Sequence, residues 1–282
     1  MIAKCTLLCY NNTGSDLLMS NKAKIREDAM KLNPIDDTLF CKMAENIAFC
    51  EEILQIILND TCLKVLNTVP QSTAKNLQGR SCILDLKCQL CNGKIVDIEV
   101  QRSDNDDHQR RVLYNAALLI TNTTNPSNNF KQVPDVIIIF ISEFDIFNKG
   151  KAKYKINRVI EDDGTIVYNG MEEIYVNAAV DDKSDIAELM KVFTKSDIYN
   201  YSKFPVTSSI KRRFKTTEEG VKEMCEIIER NRAEAAMERL IKSMVSLINK
   251  NRITIEEGAE EAELPIDEFK KKIHDLGLAI TV

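Results

Sequence analysis

The segment Val136–Ile141 reads Val-Ile-Ile-Ile-Phe-Ile, and it limits the possible folds of this chain more than any other segment. A strand that is apolar at every position has both faces covered, which is typical of the central strand of an α/β sheet. The segment is far shorter than the roughly 18 apolar residues that suggest a membrane-spanning helix. The pattern therefore predicts a buried strand between layers of helices, and no contact with a membrane.

Helical and strand-like periodicities alternate on both sides of this segment. The predicted helices are 37–58 and 104–121, and the predicted strands are 81–90, 94–102, 151–159 and 166–176. Asn92-Gly93 is a strong hairpin turn signal between the first two strands. Together these elements predict an α/β fold, in which helices flank a mixed central sheet.

The chain divides into three predicted parts. Residues 1–23 have little periodicity and are expected to form a loose arm, and the α/β domain is expected to occupy residues 24–180. Residues 181–282 are expected to form a helical C-terminal region. Thr216 with Glu219 has the spacing of a capping box, which predicts the start of a long helix that ends near Asn249.

Composition narrows the range of functions. Hydrophobic residues make up 44% of the 282 residues and charged residues 29%, which predicts a packed protein rather than a disordered one. The formal net charge of −5 makes a general nucleic-acid binder improbable, so any contact with DNA must rest on a local basic patch or on a metal site. Nine cysteines without a secretory signal indicate a reducing, cytoplasmic setting.

Two metal chemistries compete for the predicted hairpin. Cys88 and Cys91 have the spacing of a zinc knuckle, but structural zinc needs four nitrogen or sulfur ligands and no second Cys-x-x-Cys motif follows. Asp85 and Glu99 are carboxylates within otherwise apolar strands, where a charge is costly unless it meets a cation or hydrogen-bond donors. Mg²⁺ prefers such oxygen ligands, and Mn²⁺ is an alternative.

The length of the hairpin loop decides on which face of the sheet Asp85 lies relative to Glu99. A two-residue loop would pair Asp85 with Val100 and place Asp85 on the face opposite Glu99. A three-residue loop with Gly93 in a left-handed conformation would bring Asp85 beside Glu99 or Gln101. The metal-site interpretation therefore predicts an odd loop, a bulge or strands that splay apart.

The segment GRSCILDLKCQLCNGKIVDIEVQRS, followed by DDHQRRVLYN, resembles the PD-(D/E)XK nuclease family transposases, also called the recombination-promoting nuclease family. The likeness begins at NPIDDTLFCKMAENIAFCEEIL and continues through VPDVIIIFISEFDIF and EEIYVNAAVDD to KFPVTSSIKRRFKTTEEGVKEMCEIIE. It covers roughly residues 30–230. The resemblance implies a restriction-endonuclease-like core and metal-dependent cleavage of DNA, linked to transposition or recombination.

The resemblance assigns roles residue by residue. Asp85 and Glu99 match the two core acids that bind the metal, and Asp37 matches an acid at the start of the first helix. Gln101 stands where the wider superfamily has a lysine, and it carries no charge. Lys87, two residues after Asp85 on the same strand, is a candidate for a displaced lysine. Asp37 has the alternative role of favouring its helix N-terminus, with Asp36 as the N-cap.

Candidate DNA contacts come from two basic stretches. Arg110 and Arg111 follow the hairpin and could clamp a phosphate, or could pair with the acids at 104–107. Lys211, Arg212 and Arg213 form the clearest basic cluster of the chain. We therefore expect the partners to be DNA and, since cutting both strands needs two sites, a second copy in a homodimer.

One leading hypothesis and two alternatives follow. The leading hypothesis is a Mg²⁺-dependent deoxyribonuclease in which Asp85 and Glu99 bind the metal, Gln101 positions water or phosphate, and Asp37 is accessory. The first alternative is a non-catalytic DNA-binding or assembly protein that keeps the nuclease fold. The second is a zinc-stabilised interaction module built on Cys88.

Overall fold

The computed structural model describes residues 22–76, 81–127 and 129–281. It divides into two compact units, Met1–Met224 and Cys225–Val282. The predicted N-terminal arm lies outside the described residues except for residues 22 and 23, which are helical. Residue 180, the predicted end of the α/β domain, lies within the first unit.

A six-stranded sheet forms the centre of the first unit. Its strands are β1 (Val65–Ala74), β2 (Cys82–Leu90), β3 (Ile95–Gln101), β4 (Val136–Ser142), β5 (Lys153–Ile156) and β8 (Met171–Asn177). The spatial order is β1-β2-β3-β4-β8-β5. The central strands β3, β4 and β8 are parallel, and the outer pairings are antiparallel. A separate two-stranded hairpin consists of β6 (Arg158–Val159) and β7 (Ile166–Val167).

The apolar segment Val136–Ile141 lies at the centre of this sheet. Every residue of β4 is buried, and the strand lies between the parallel strands β3 and β8. Val136, Ile138 and Phe140 pack with residues of the helix that connects β3 to β4. The mixed α/β architecture predicted from this segment is therefore confirmed, and it is consistent with a restriction-endonuclease-like fold.

Nine helices of more than one turn occur in the described ranges. They are α1 (22–31), α2 (Asp37–Ala44), α3 (Ile47–Leu58), α4 (His108–Thr123), α5 (Asp185–Thr194), α6 (Pro205–Thr216), α7 (Glu218–Ile248), α8 (Ile255–Glu261) and α9 (Ile266–Asp275). The single helix predicted over 37–58 is two helices, α2 and α3. The break occurs because Asn46 leaves the helical conformation, and its side chain accepts hydrogen bonds from the backbone N–H groups of Ala48 and Phe49.

Strand β1 was not predicted from the sequence. Its burial alternates only weakly and it contains Pro70, which disfavours a strand assignment except at a sheet edge. The structure places β1 at such an edge, where it pairs with β2 alone. Pro70 therefore fits this strand because the proline needs to donate no hydrogen bond to a second neighbour.

The helices α5 and α6 belong to the first unit because they pack against its core. Phe193 of α5 stacks on Phe49 of α3 with ring centroids 6.3 Å apart, and both rings approach Phe40 of α2. Helix α6 was not predicted, because its basic residues suggested an exposed loop. Glu52 of α3 accepts hydrogen bonds from the first N–H groups of α6, which fixes the start of that helix.

The second unit has a small core of its own. It consists of the C-terminal part of α7 with α8 and α9, packed through eight buried residues. They are Ile241, Met244, Val245, Ile248, Ala259, Ala262, Phe269 and Ile273. Thr254 and Glu257 form a capping box at the start of α8, where the two residues exchange side-chain-to-backbone hydrogen bonds.

Within the part of the chain that the structure describes, none of the helices combines the length and apolar character needed to cross a bilayer.

Candidate active site

The hairpin loop between β2 and β3 has three residues. The pairing of β2 with β3 runs from Gln89–Ile95 to Leu86–Ile98, and the N–H of Leu90 donates to the carbonyl of Lys94 at 2.9 Å. Gly93 has a φ of +87°, a conformation that glycine adopts at little cost. The odd loop that the metal-site interpretation required is therefore confirmed.

Beyond the Leu86–Ile98 pair, the ladder between β2 and β3 ends and the two carboxylates replace backbone partners. The N–H of Asp85 donates to Oε1 of Glu99 at 3.2 Å. The N–H of Val100 donates to Oδ2 of Asp85 at 2.9 Å. The strands thus splay at this point, and Asp85 and Glu99 lie side by side.

Burial makes the negative charge of both carboxylates costly. Desolvation raises the pKa of Asp85 to about 6, against the lowering effects of the Val100 N–H and of Arg111. Desolvation and the neighbouring Asp85 raise the pKa of Glu99 to about 7. Two adjacent carboxyls with raised pKa values form a site that favours a cation, because a cation offsets charges that the protein leaves undercompensated.

Arg111 is the one cationic group in direct contact with this pair among the described residues. Its Nη2 donates to Oε2 of Glu99 at 2.6 Å, and its Nη1 donates to Oε1 of Gln101 at 3.0 Å. Gln101 in turn donates from Nε2 to the carbonyl of Ser103 at 3.0 Å. Gln101 therefore orients the guanidinium, and α4 supplies the positive charge that the strand position lacks.

Sequence reasoning missed a third acid, Asp97. Its side chain is 0% exposed, and neither carboxylate oxygen has a hydrogen-bond partner among the residues that the structure describes. Burial, with Glu99 and then Asp85 adding to it, raises the pKa of Asp97 well above its usual value. The signal was present in the sequence, because Asp97, Glu99 and Gln101 alternate along one strand and share a face.

Asp37 lies at the first turn of α2, close enough for its charge to raise the pKa of Asp85. It is exposed, and its Oδ1 accepts from the N–H and hydroxyl of Thr38. Asp36 occupies the N-cap position, but its side chain makes no capping hydrogen bond and instead binds Arg102 at 2.6 Å. This ion pair fixes the start of α2 beside the end of β3.

The other two basic candidates near the hairpin have different surroundings. Arg110 is on the exposed side of α4, where its Nε lies 3.2 Å from Oδ2 of Asp107. Arg110 is therefore paired with one of the acids at 104–107, which is the alternative to contact with a phosphate. Lys87 is the cross-strand neighbour of Asp97, on the face that carries Glu99, and is half-buried.

The basic cluster on α6 is divided between the interior and the surface. Lys211 is 0% exposed, and its ammonium donates to the carbonyls of Val192, Lys195 and Ile198. Burial, and then the charge of Lys215, lowers the pKa of Lys211 to about 8. The prediction that Lys211 contacts DNA conflicts with this burial, because its ammonium is held inside the protein.

Only the middle of the cluster reaches the surface. Arg212 is exposed, and Arg213 is partly exposed and forms an ion pair with Glu223 of α7. Lys215 is buried and donates to the carbonyl of Leu32 at 2.5 Å. Arg212 is therefore the most accessible base of this group.

The zinc interpretation does not fit the two cysteines. Cys88 is buried against α3, where its hydrogen bond with Cys50, together with burial, raises the pKa of the Cys50 thiol. Cys91 is exposed in the hairpin loop. One sulfur therefore faces the core and the other faces solvent, and Cys88 behaves as a small apolar residue.

The carboxylate pair fits a hard divalent cation that keeps much of its water. No cluster of three or more His, Cys, Asp or Glu side chains within 22–76, 81–127 and 129–281 has an arrangement that could hold a metal ion. The candidate site is thus a pair, Asp85 and Glu99. Mg²⁺ is commonly bound in this way, through one or two carboxylates with water and substrate phosphate as further ligands.

Comparison with known proteins identifies the family of the chain. No curated protein and no solved structure matches the chain. The family model of the PD-(D/E)XK nuclease family transposases matches residues 39–244, a span that includes Asp85, Glu99, Gln101 and Arg111 and begins two residues after Asp37. That match covers most of the chain and supports a role related to nucleases and transposition. The protein therefore belongs to the PD-(D/E)XK nuclease family transposases.

Proposed function

We propose that this protein is a metal-dependent DNA endonuclease that hydrolyses phosphodiester bonds during transposition or recombination. The observation that carries the proposal is the pair of buried carboxylates, Asp85 and Glu99, at the point where β2 and β3 splay. Family membership supports the nuclease class. The proposal includes that the protein acts on DNA in the cytoplasm.

Asp85 and Glu99 would hold Mg²⁺, and Mn²⁺ could take its place. Such an ion, when bound, lowers the pKa of coordinated water and offsets the negative charge of the phosphate. In the hydrolysis, a water oxygen adds to phosphorus, one P–O bond breaks, and the departing oxygen takes up a proton. The Val100 N–H donates to Oδ2 of Asp85, which would leave the other carboxylate oxygen, Oδ1, for the ion.

Arg111 would replace the lysine that is absent at position 101. Its guanidinium has five donors, of which two bind Glu99 and Gln101 and the others can reach a phosphate oxygen. Gln101 then acts as a positioning residue, because it holds Arg111 rather than the substrate. Asp37 would be accessory, since it lies near Asp85 without direct contact to it.

Arg212 and Arg213 would contribute backbone contacts to DNA outside the cleavage site. Arg212 is exposed at the surface of α6, where its guanidinium interacts with Tyr201, whereas Arg213 would have to leave Glu223. Arg110 could reach a phosphate in the same way by leaving Asp107.

The test is cleavage of supercoiled plasmid with Mg²⁺ or Mn²⁺ by wild type, Asp85→Asn and Glu99→Gln. Asp106→Asn is the matched control, because it removes an exposed acid from the loop that precedes α4. We expect the wild type and Asp106→Asn to cut in a metal-dependent manner, and both site variants to lose cleavage. Calorimetric titration of Mn²⁺ into the same four proteins separates loss of metal binding from loss of chemistry.

The outcomes distinguish the alternatives. Cleavage by Glu99→Gln equal to that of wild type would contradict the assigned site. A folded wild-type protein that binds DNA but cuts under neither metal would support the non-catalytic DNA-binding or assembly protein instead.

A further inference from the structure

Both carboxylate oxygens of Glu99 are occupied by donors of the protein itself. Oε1 accepts the backbone N–H of Asp85 at 3.2 Å, and Oε2 accepts Nη2 of Arg111 at 2.6 Å. The side chain of Glu99 is only 1% exposed, so few other groups can reach it. A divalent cation that binds Glu99 therefore has to compete with one of these two donors.

The two donors differ in their freedom to move. The N–H of Asp85 is part of the backbone of β2, so the strand fixes its position. Arg111 reaches Glu99 from α4 through a long side chain that is 33% exposed and that can rotate about several torsions. Glu99 is its one ion-pair partner in the parts of the chain that the structure describes. Arg111 is therefore the donor that can leave.

Charge favours the departure of Arg111. A divalent cation held by Asp85 and Glu99 would lie beside the guanidinium, because Nη2 contacts Oε2 of Glu99 directly. Like charges at such short range repel each other even in water, and more strongly in a buried site. The metal ion and the guanidinium therefore compete for Glu99, and the ion with two charges has the advantage.

Gln101 keeps the guanidinium at the site when its contact with Glu99 is lost. Oε1 of Gln101 accepts from Nη1 of Arg111 at 3.0 Å, and Nε2 of Gln101 donates to the carbonyl of Ser103. Because Nη1 and Nη2 belong to one planar group, a swing about the Nη1 contact would move Nη2 off Glu99 without releasing Gln101. The freed Nη2 is then a charged donor for a phosphate oxygen.

We propose that Arg111 competes with the divalent cation for Glu99 in the protein without DNA, and exchanges Glu99 for a phosphate oxygen of DNA when the cation binds. This inference rests on the proposed function and adds a coupling between its two ligands. The cation releases Arg111 to the phosphate, and the phosphate draws Arg111 off Glu99. Since coupling is reciprocal, each ligand should raise the affinity of the other by the same factor.

The first test is the Mn²⁺ affinity of the full-length protein, measured by calorimetry without DNA. We expect Arg111→Gln to bind Mn²⁺ about fivefold more tightly than wild type, because the competing internal charge is gone. Arg111→Lys keeps that charge and should stay within about twofold of wild type. Arg110→Gln is the matched control: it removes the adjacent charge of α4, which is exposed and paired with Asp107, and should leave the Mn²⁺ affinity unchanged.

A purely structural role for Arg111 predicts the opposite sign. If Arg111 only held Glu99 in position, Arg111→Gln would bind Mn²⁺ more weakly than wild type or equally well. Either result, in a variant that thermal unfolding shows to be folded, would overturn the inference while the metal site of the proposed function stood. A wild type that binds no Mn²⁺, like Asp85→Asn, would contradict the proposed metal site as well.

The second test measures the coupling itself, by fluorescence anisotropy of a labelled DNA duplex with and without Ca²⁺. Ca²⁺ takes oxygen ligands as Mg²⁺ does, and electrophoresis verifies that the duplex is intact. We expect Ca²⁺ to raise the duplex affinity of wild type about fivefold more than that of Arg111→Gln, at the low end of ordinary coupling between two ligands. An equal effect of Ca²⁺ on both proteins would show that metal and phosphate are coupled without Arg111, and would overturn the inference.

Discussion

At the scale of single residues, the candidate site depends on side chains that satisfy backbone groups where a β-ladder ends. Asp85 and Glu99 each accept a backbone N–H from the opposite strand, so each carboxylate has a fixed position before any ligand arrives. Cys41 supports the same region by donating its thiol proton to the carbonyl of Asp85 at 3.4 Å. Burial raises the pKa of that thiol to about 12, which keeps the donor protonated.

Arg111 and Arg110 are adjacent on α4 but have different roles in this arrangement. We predict that Arg111→Gln reduces the initial rate of plasmid cleavage at least tenfold, or about 1.4 kcal/mol of transition-state stabilisation. The reason is that Arg111 contacts Glu99 and Gln101 inside the site, whereas Arg110 forms an exposed pair with Asp107. Arg110→Gln should therefore cleave within about twofold of wild type, as expected for loss of a surface pair. Equal rates for both variants would contradict the role of Arg111.

The raised pKa of Asp97 leads us to predict that the stability of the protein depends on pH. A carboxyl with a raised pKa in the folded state contributes stability that is fully present below its unfolded pKa of about 4 and is lost as pH rises through its folded pKa. Asp85, Glu99 and Asp97 all have raised values, so the metal-free protein should lose stability as pH rises from about 4 through 6 and 7.

The Asp97→Asn variant tests this pH dependence. It removes one of the three titrating groups, so we expect its free energy of unfolding to fall less steeply with pH, and to exceed that of wild type near neutrality. Urea denaturation in the presence of a chelator, at a series of pH values, measures the difference between the two proteins. A difference that does not change with pH would show that Asp97 is not the titrating group.

At the scale of helices, α6 shows how a basic sequence can be part of a core. Lys211 and Lys215 are one turn apart on α6, and both ammonium groups donate to carbonyls of neighbouring segments. Lys211 satisfies the carbonyls around the C-terminal end of α5, which the helix itself leaves without donors. These lysines fix α6 to the first unit and are unavailable to a ligand.

We predict that Lys211→Met lowers the free energy of unfolding by at least ~2 kcal/mol, because three buried carbonyls lose a charged donor. Arg212→Ala is the matched control, since Arg212 is the next residue and is exposed. Its effect should stay within about 0.5 kcal/mol, which is usual for surface substitutions. Chemical denaturation of both variants provides the measurement, and similar losses in the two would contradict a structural role for Lys211.

The contact between α6 and the first turn of α7 requires a glycine at position 220. A Cβ atom there would lie 2.3 Å from the carbonyl oxygen of Arg213 and 2.9 Å from the Cα of Phe214. Alanine in an exposed helix position normally stabilises by up to about 1 kcal/mol. We predict that Gly220→Ala instead destabilises by about 1–3 kcal/mol, because backbone atoms must move.

Gly258 of α8 provides a control for the Gly220→Ala substitution. A Cβ at Gly258 would meet only side-chain atoms, with Ile248 Cδ1 at 3.1 Å as the nearest. Side chains can shift more readily than backbone, so Gly258→Ala should be less destabilising than Gly220→Ala. Thermal unfolding of the two variants compares them, and the reverse order would contradict the backbone contact as the cause.

At the scale of the whole molecule, a net charge of −5 limits how this protein can bind DNA. We predict a weak affinity without divalent metal and a shallow salt dependence, with one or two phosphates neutralised and a slope of about −0.9 for each. Arg212→Ala should reduce the magnitude of that slope by about 1, whereas Arg252→Ala, an exposed arginine of the second unit, should leave it unchanged. Fluorescence anisotropy of a labelled duplex at several salt concentrations measures the slopes.

The sequence by itself determined the α/β class and the central strand at 136–141, and it singled out Asp85 and Glu99 as the candidate acids. These follow from local patterns. A run of apolar β-branched residues indicates a buried strand, and an acid within such a strand indicates a candidate site, whichever strands lie beside it. The family resemblance added the order of the acids and the missing lysine. The sequence also predicted that the hairpin loop must be odd if the acids were to meet.

The tertiary structure decided the properties that depend on neighbours distant in sequence. Only the tertiary contact of α4 with β3 shows that Arg111 binds both Glu99 and Gln101. Only burial shows that Asp97 has no hydrogen-bond partner among the described residues, and that Lys211 is a core residue rather than a DNA contact. The physical reason is that solvation and charge pairing depend on which elements surround a side chain, and local periodicity carries no record of those elements.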